Sequence, residues 1–161
     1  ISLINNNFEI DFQDDLFKWK NMIEKYDKKN KLFDLVLSHQ DLYWGNIIDT
    51  NQGLRIIDYE FCGISYRAVD IAFIIFIESV NEMSDIDYYK KIRDTIMNLY
   101  YDKVDSNDII IINIFVMLLY LKNILVLNRI SNYGDIKFYN EYIIKRIQNY
   151  KYYKKMLEFI S

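Results

Sequence analysis

The sequence predicts an α+β domain that is mostly helical. Apolar residues recur at helical spacing along several segments, as in Ala68, Ile71, Ala72, Ile75 and Ser79. Two short apolar runs flank Asn51, Gln52 and Gly53, a turn-forming triplet that predicts a small β-hairpin. With 52% hydrophobic and 17% aromatic residues and no proline, the chain has enough apolar material to order itself. A single domain over residues 1–161 is expected, burying roughly 68–70% of its unfolded surface.

Each element has its own signal. Leu16, Trp19, Ile23 and Tyr26 share a helical face, with Asp14 and Asp15 near the start and Lys28 and Lys29 near the end, charges that suit the helix dipole. Val36 and Leu37 read as a short buried segment leading into a loop at His39. Strands are expected at 46–49 and 54–57, then helices over Ala68 to Ser79 and over Ile86, Tyr89, Ile92, Ile96 and Leu99, both largely packed. Asn107 or Asp108 is expected to cap the next helix. Gly134 should break the chain, and Phe138, Tyr142, Ile143, Ile147 and Tyr150 should form a last amphipathic helix.

The apolar run from Ile109 to Leu121, interrupted only by Asn113, calls for a membrane test. Its length falls short of the roughly 20 residues a span requires, so a buried core helix is expected and no membrane span. A net charge of −3, from 20 basic and 23 acidic residues, offers no basic face for a phosphate backbone and argues against nucleic acid. The single cysteine, Cys62, cannot form an internal disulfide, and no secretory leader or zinc spacing is evident. The cytoplasm is the expected compartment. The start at Ile1 rather than methionine suggests part of a longer protein. The apolar surfaces of two amphipathic helices would suit a homodimer.

The chemistry concentrates in His39 to Asn46 and Ile57 to Glu60. Asp41 and Asn46 share one short loop, and Asp58 follows an apolar run just beyond the predicted hairpin. Phosphoryl transfer asks a protein chiefly for positioning and charge neutralisation. One carboxylate must face the acceptor hydroxyl, while another carboxylate and an amide oxygen suit Mg²⁺, which takes oxygen ligands and keeps several waters. Asp41 can supply the base, Asn46 the amide and Asp58 the metal carboxylate.

These residues resemble the choline and ethanolamine kinases, within the wider group that includes the aminoglycoside phosphotransferases. The pattern of a His, any residue, an Asp, four residues and an Asn is met by His39, Asp41 and Asn46. The segment Ile-Asp-aromatic-Glu-aromatic is met by Ile57, Asp58, Tyr59, Glu60 and Phe61, and a further Tyr-Arg then Asp-Ile by Tyr66, Arg67, Asp70 and Ile71. The resemblance implies the carboxy-terminal lobe of a protein-kinase-like fold, with the hairpin carrying the metal site. It implies ATP and Mg²⁺ as cofactors, Asp41 as catalytic base, Asn46 and Asp58 as metal and nucleotide contacts, and His39 and Asp70 as structural support.

For the substrate, the resemblance implies choline or a related amino-alcohol such as ethanolamine, contacted by Phe61, Glu78, Tyr120 and Tyr142. Choline kinases place two tryptophans a turn apart on the long helix, where this chain has Tyr120 and then Asn123. An aminoglycoside phosphotransferase therefore stays open, as does a catalytically silent kinase-like binding module. The four glycines, at 45, 53, 63 and 134, assemble no Gly-rich phosphate loop, and no lysine-bearing strand precedes His39. The amino-terminal nucleotide lobe is expected to lie outside this chain, and the lobe alone to be inactive or nearly so.

Overall fold

The computed structural model describes residues 12–26, 31–79, 86–131, 144, 146–152, 154 and 155. Helix α1 spans Phe12–Tyr26, and strand β1 spans Leu35–Ser38. Strands β2 and β3, Ile47–Thr50 and Gly53–Ile56, form the hairpin, and β4 covers Gly63–Tyr66. Helices α2, α3 and α4 follow at Ala68–Ser79, Ile86–Tyr100 and Ser106–Ser131, and residues 146–152 are also helical. Short 3₁₀ turns occur at Lys31–Phe33, Trp44–Asn46 and Tyr59–Phe61.

Residues 29–116 form one compact unit. It holds two separate two-stranded antiparallel sheets. The hairpin registers Ile47 with Ile56 and Thr50 with Gly53, within one residue of the expected strand ends. Gly53 has φ +98°, a conformation glycine adopts without a Cβ penalty, which is why the turn closes there. The second sheet, β1 with β4, was not anticipated and registers Leu37 with Ile64 and Ser38 with Gly63. It brings the His39 loop alongside the start of α2.

Helix α2 has the predicted bounds and buries Ala68, Ile71, Ala72, Ile75 and Ser79 as expected, packing on α3. Phe33, Tyr66 and Phe115 form a ring cluster with centroids 5.5 to 6.0 Å apart, tying β4 to the long helix. The expected buried segment at Val36 and Leu37 is instead a strand whose Leu35 and Leu37 are 66% and 74% exposed. A two-stranded sheet has one face that only another layer can cover, and here that face carries Leu35, Leu37 and Ile64.

Helix α3 also departs from expectation. Leu99 is 84% exposed, and the buried line runs Tyr89, Arg93, Met97 at four-residue spacing. Arg93 is accommodated because its guanidinium reaches Asp94 at 2.8 Å and the Asn113 side-chain oxygen, which also accepts from the Tyr89 hydroxyl at 2.7 Å. The cap of α4 is Asp105, not Asn107 or Asp108. Its carboxylate accepts the Asp108 N–H at 2.9 Å while the Asp108 carboxylate accepts the Asp105 N–H at 3.1 Å, a reciprocal capping box.

Helix α4 is 26 residues long, and its stretch from Ser106 to Leu127 is long and apolar enough to cross a membrane. The length argument for a core helix therefore fails. The positive argument is burial on every side from Ile110 to Met117, with Asn113 satisfied by protein donors.

The other unit comprises residues 1–28 and 117–161. Its core includes Trp19, Tyr120, Leu121, Ile124, Ile147 and Tyr150, whereas Leu16 is 45% exposed. Asp15 is buried rather than serving only the helix dipole: it accepts the Tyr150 hydroxyl at 2.6 Å and pairs with Lys154. Burial, reinforced by that bond to Asp15, pushes the Tyr150 hydroxyl well above the usual tyrosine range. Lys28, Lys29, Gly134, Phe138, Tyr142 and Ile143 lie outside the described residues.

Candidate active site

The loop after β1 is pinned from below by one carboxylate. Asp70, in the first turn of α2, accepts the His39 N–H at 2.9 Å on one oxygen and the Gln40 N–H at 2.8 Å on the other. Such bonds to a charged acceptor are stronger than neutral ones. They hold Gln40 at φ +64°, a left-handed conformation that costs a non-glycine residue about 1–2 kcal/mol. Asp41 is therefore delivered from a backbone kink that the surrounding bonds enforce.

Asn46 closes the same loop. Its side-chain nitrogen donates to the Asp41 carbonyl at 3.0 Å and to the Asp41 carboxylate at 3.3 Å. Asn46 is buried and Asp41 half-buried, so the pair sits at the edge of the unit's interior.

A second loop is bound to the first by backbone. The Ile57 N–H donates to the Asn46 carbonyl at 2.9 Å, and the Ile57 carbonyl accepts the His39 ring nitrogen Nε2 at 2.9 Å. Because a carbonyl only accepts, that bond requires a hydrogen on Nε2. Its ring also lies 4.9 Å from that of Tyr59, so His39 is buried scaffold linking the two loops. Asp58, the next residue, has φ +64° and is exposed. Gln40 and Asp58 are the non-glycine residues with positive φ among those described, and strain of this kind gathers at functional sites.

These contacts bring the segments bearing Asp41, Asn46 and Asp58 together. Among the described residues no group of three or more His, Cys, Asp or Glu side chains gathers, so no transition-metal cage forms. Two carboxylates and an amide oxygen are hard donors of the kind Mg²⁺ accepts alongside water and phosphate.

The expected substrate contacts fall on different elements. Phe61 is 58% exposed on the Tyr59–Phe61 turn, and Glu78 is half-buried near the end of α2. Tyr120 is fully buried in the other unit, and Tyr142 lies outside the described residues. Glu78 accepts a hydrogen bond from the indole nitrogen of Trp44. Tyr43, Trp44, Ile47, Ile74, Ile77 and Glu78 line a small, partly open recess. Trp44 and Tyr43 were not assigned a role from the sequence. The available signal was two adjacent aromatic residues between Asp41 and Asn46, a stretch that needs only to turn.

The choline/ethanolamine kinase family model matches residues 4–157. The chain belongs to the choline/ethanolamine kinase family. A solved structure similar to this family member is the crystal structure of choline kinase from Cryptosporidium parvum Iowa II, at 20% identity and a TM-score of 0.55. The match covers 88% of this choline/ethanolamine kinase family chain and 43% of the Cryptosporidium chain, and shows a shared fold. The chain thus spans less than half the length of that structure. A comparison with curated proteins finds no match.

Proposed function

We propose that this chain is the carboxy-terminal lobe of a cytoplasmic small-molecule kinase that transfers the γ-phosphoryl of ATP to the hydroxyl of choline or a related amino-alcohol, with Mg²⁺. The observation that carries the reading is the Asn46 side chain bonded to Asp41, in a loop braced by Asp70 and joined through Ile57 to the segment bearing Asp58. A scaffold domain has no use for that constellation, and family membership supports the same chemistry.

In this reading Asp41 orients the acceptor hydroxyl and takes its proton as the oxygen bonds to the γ-phosphorus and the bond to the β–γ bridging oxygen breaks, releasing ADP. Asn46 holds the Asp41 carboxylate through its nitrogen and offers its oxygen to the metal, for which Asp58 supplies the carboxylate. Bound Mg²⁺ supplies charge neutralisation at the phosphates. Asp70 and His39 keep the loop in place and touch no reacting atom.

The nucleotide lobe would come from residues outside this chain. The uncovered apolar face of Leu35, Leu37 and Ile64 supports such a covering layer. The test is Mg²⁺-dependent ADP release by the intact protein with choline, ethanolamine and a panel of aminoglycosides. Asp41→Ala should reduce kcat by roughly 10²-fold or more, the scale for a positioned general base. Turnover at the wild-type rate in that variant would remove Asp41 from the mechanism.

A further inference from the structure

Helix α2 bonds to the loop that carries Asp41 at both of the loop's ends. Asp70, in the first turn of the helix, accepts the N–H groups of His39 and Gln40. Glu78, in its last turn, accepts the indole N–H of Trp44, 34 positions away in sequence. The two carboxylates are eight positions apart, a spacing that returns to one face of a helix. At the helical rise they stand about 12 Å apart along the axis. The stretch from His39 to Trp44 spans that distance with slack, since extended chain covers about 3.3–3.6 Å per residue. Asp41 falls between the two anchors.

The packing agrees with the bond. Tyr43, Trp44 and Ile47 meet Ile74, Ile77 and Glu78 across the small recess, so the segment after Asp41 lies on the second half of α2. Trp44 is 63% exposed, so its ring fills no core, and its single N–H donor is the polar group that finds a partner in the protein. The turn that begins at Trp44 ends at Asn46, whose side chain meets the Asp41 carboxylate. A displacement of Trp44 therefore reaches Asp41 through two residues of backbone and one side-chain bond. The resemblance gives Glu78 to the substrate, whereas the structure gives it a partner inside the chain.

We propose that Glu78 and Trp44 are a positioning pair: α2 splints the loop, holding its entry through Asp70 and its exit through Glu78, so that Asp41 is presented in one arrangement. This rests on the kinase reading above and deepens it. The pair acts on the rate of the chemical step, where a misplacement of about 1 Å can cost roughly 10²-fold.

The test uses the intact protein. Trp44→Phe keeps a ring and removes the N–H, and Glu78→Ala removes the acceptor. With choline and MgATP, Trp44→Phe should lower kcat roughly 3- to 10-fold, the scale of one solvent-exposed hydrogen bond, and leave the ATP KM within about twofold. In the Glu78→Ala background the same substitution should change kcat by less than about twofold, because the bond is already gone. Losses that multiply in the double variant, or a wild-type kcat in Trp44→Phe, would overturn the pair while leaving the kinase reading intact. A second measurement needs no turnover. Backbone amide exchange over residues 39–46 should quicken in each single variant and no further in the double variant, while the urea midpoint stays near wild type because neither side chain is buried. Unchanged exchange over that stretch would refute the splint, whatever the fate of the Asp41→Ala test. Quickened exchange in a protein that phosphorylates no alcohol would leave the loop anchored by α2 and remove the kinase reading instead.

Discussion

Replacing Asp70 by asparagine should loosen the loop that presents Asp41 without touching any reacting group. In the native site each carboxylate oxygen accepts one backbone N–H, from His39 at 2.9 Å and Gln40 at 2.8 Å. A hydrogen bond to a charged group contributes about 1.5–3 kcal/mol. The amide keeps one acceptor and turns a donor toward the other N–H, so one such bond is lost and a part-buried N–H is left facing another. Against this, the left-handed Gln40 can relax and recover about 1–2 kcal/mol. The net loss of folding stability should be at most about 2 kcal/mol, measured as a lower urea midpoint at unchanged slope. In the intact protein kcat should fall more than the ATP KM changes, because a displaced Asp41 weakens the transition state more than nucleotide binding. Stability within about 0.5 kcal/mol of wild type, together with unchanged kcat, would refute the bracing role of Asp70.

Three further outcomes are expected. Asn113→Leu removes the acceptor shared by Tyr89 and Arg93 and should destabilise by about 1–3 kcal/mol, whereas Asn113→Asp, which keeps the acceptor, should lose less; chemical denaturation of both variants decides it. Because Tyr150 is held protonated above the usual tyrosine value, its contribution is complete below about pH 10 and is lost as pH rises beyond that. The urea midpoint of wild type should accordingly fall more steeply above pH 10 than that of Tyr150→Phe, and parallel slopes would contradict this. Gly45→Ala must displace the half-exposed Tyr43 ring and should cost no more than about 1 kcal/mol of stability, as chemical denaturation would show.

The helices and the hairpin were readable because their signals are local. Ala68 to Ser79 repeats at helical spacing over a continuous stretch, and Asn51 to Gly53 marks the turn, so bounds came within a residue. The candidate loop was readable because an aspartate and an asparagine five residues apart leave a pattern in sequence. What escaped depends on pairing across distance. The β1 and β4 strands meet only through register, so nothing in the short runs themselves announced a ribbon with Leu37 uncovered. The burial of Arg93 left no signal in the sequence because the partner that allows it, Asn113, lies 20 positions away on another helix. Asp15 was read as a helix-dipole charge, although its partners Tyr150 and Lys154 lie near the other end of the chain. The cap of α4 shifted to Asp105 because a reciprocal pair of aspartates outcompetes a single capping side chain.

The turn from Trp44 to Asn46 joins a wall of the recess to the amide that reaches Asp41 within three consecutive residues. The recess and the loop bearing Asp41 are thereby mechanically linked through one short piece of backbone. Substitutions that reshape the recess should therefore disturb the Asn46–Asp41 bond first, and variants that restore it should carry their compensating change inside that same stretch.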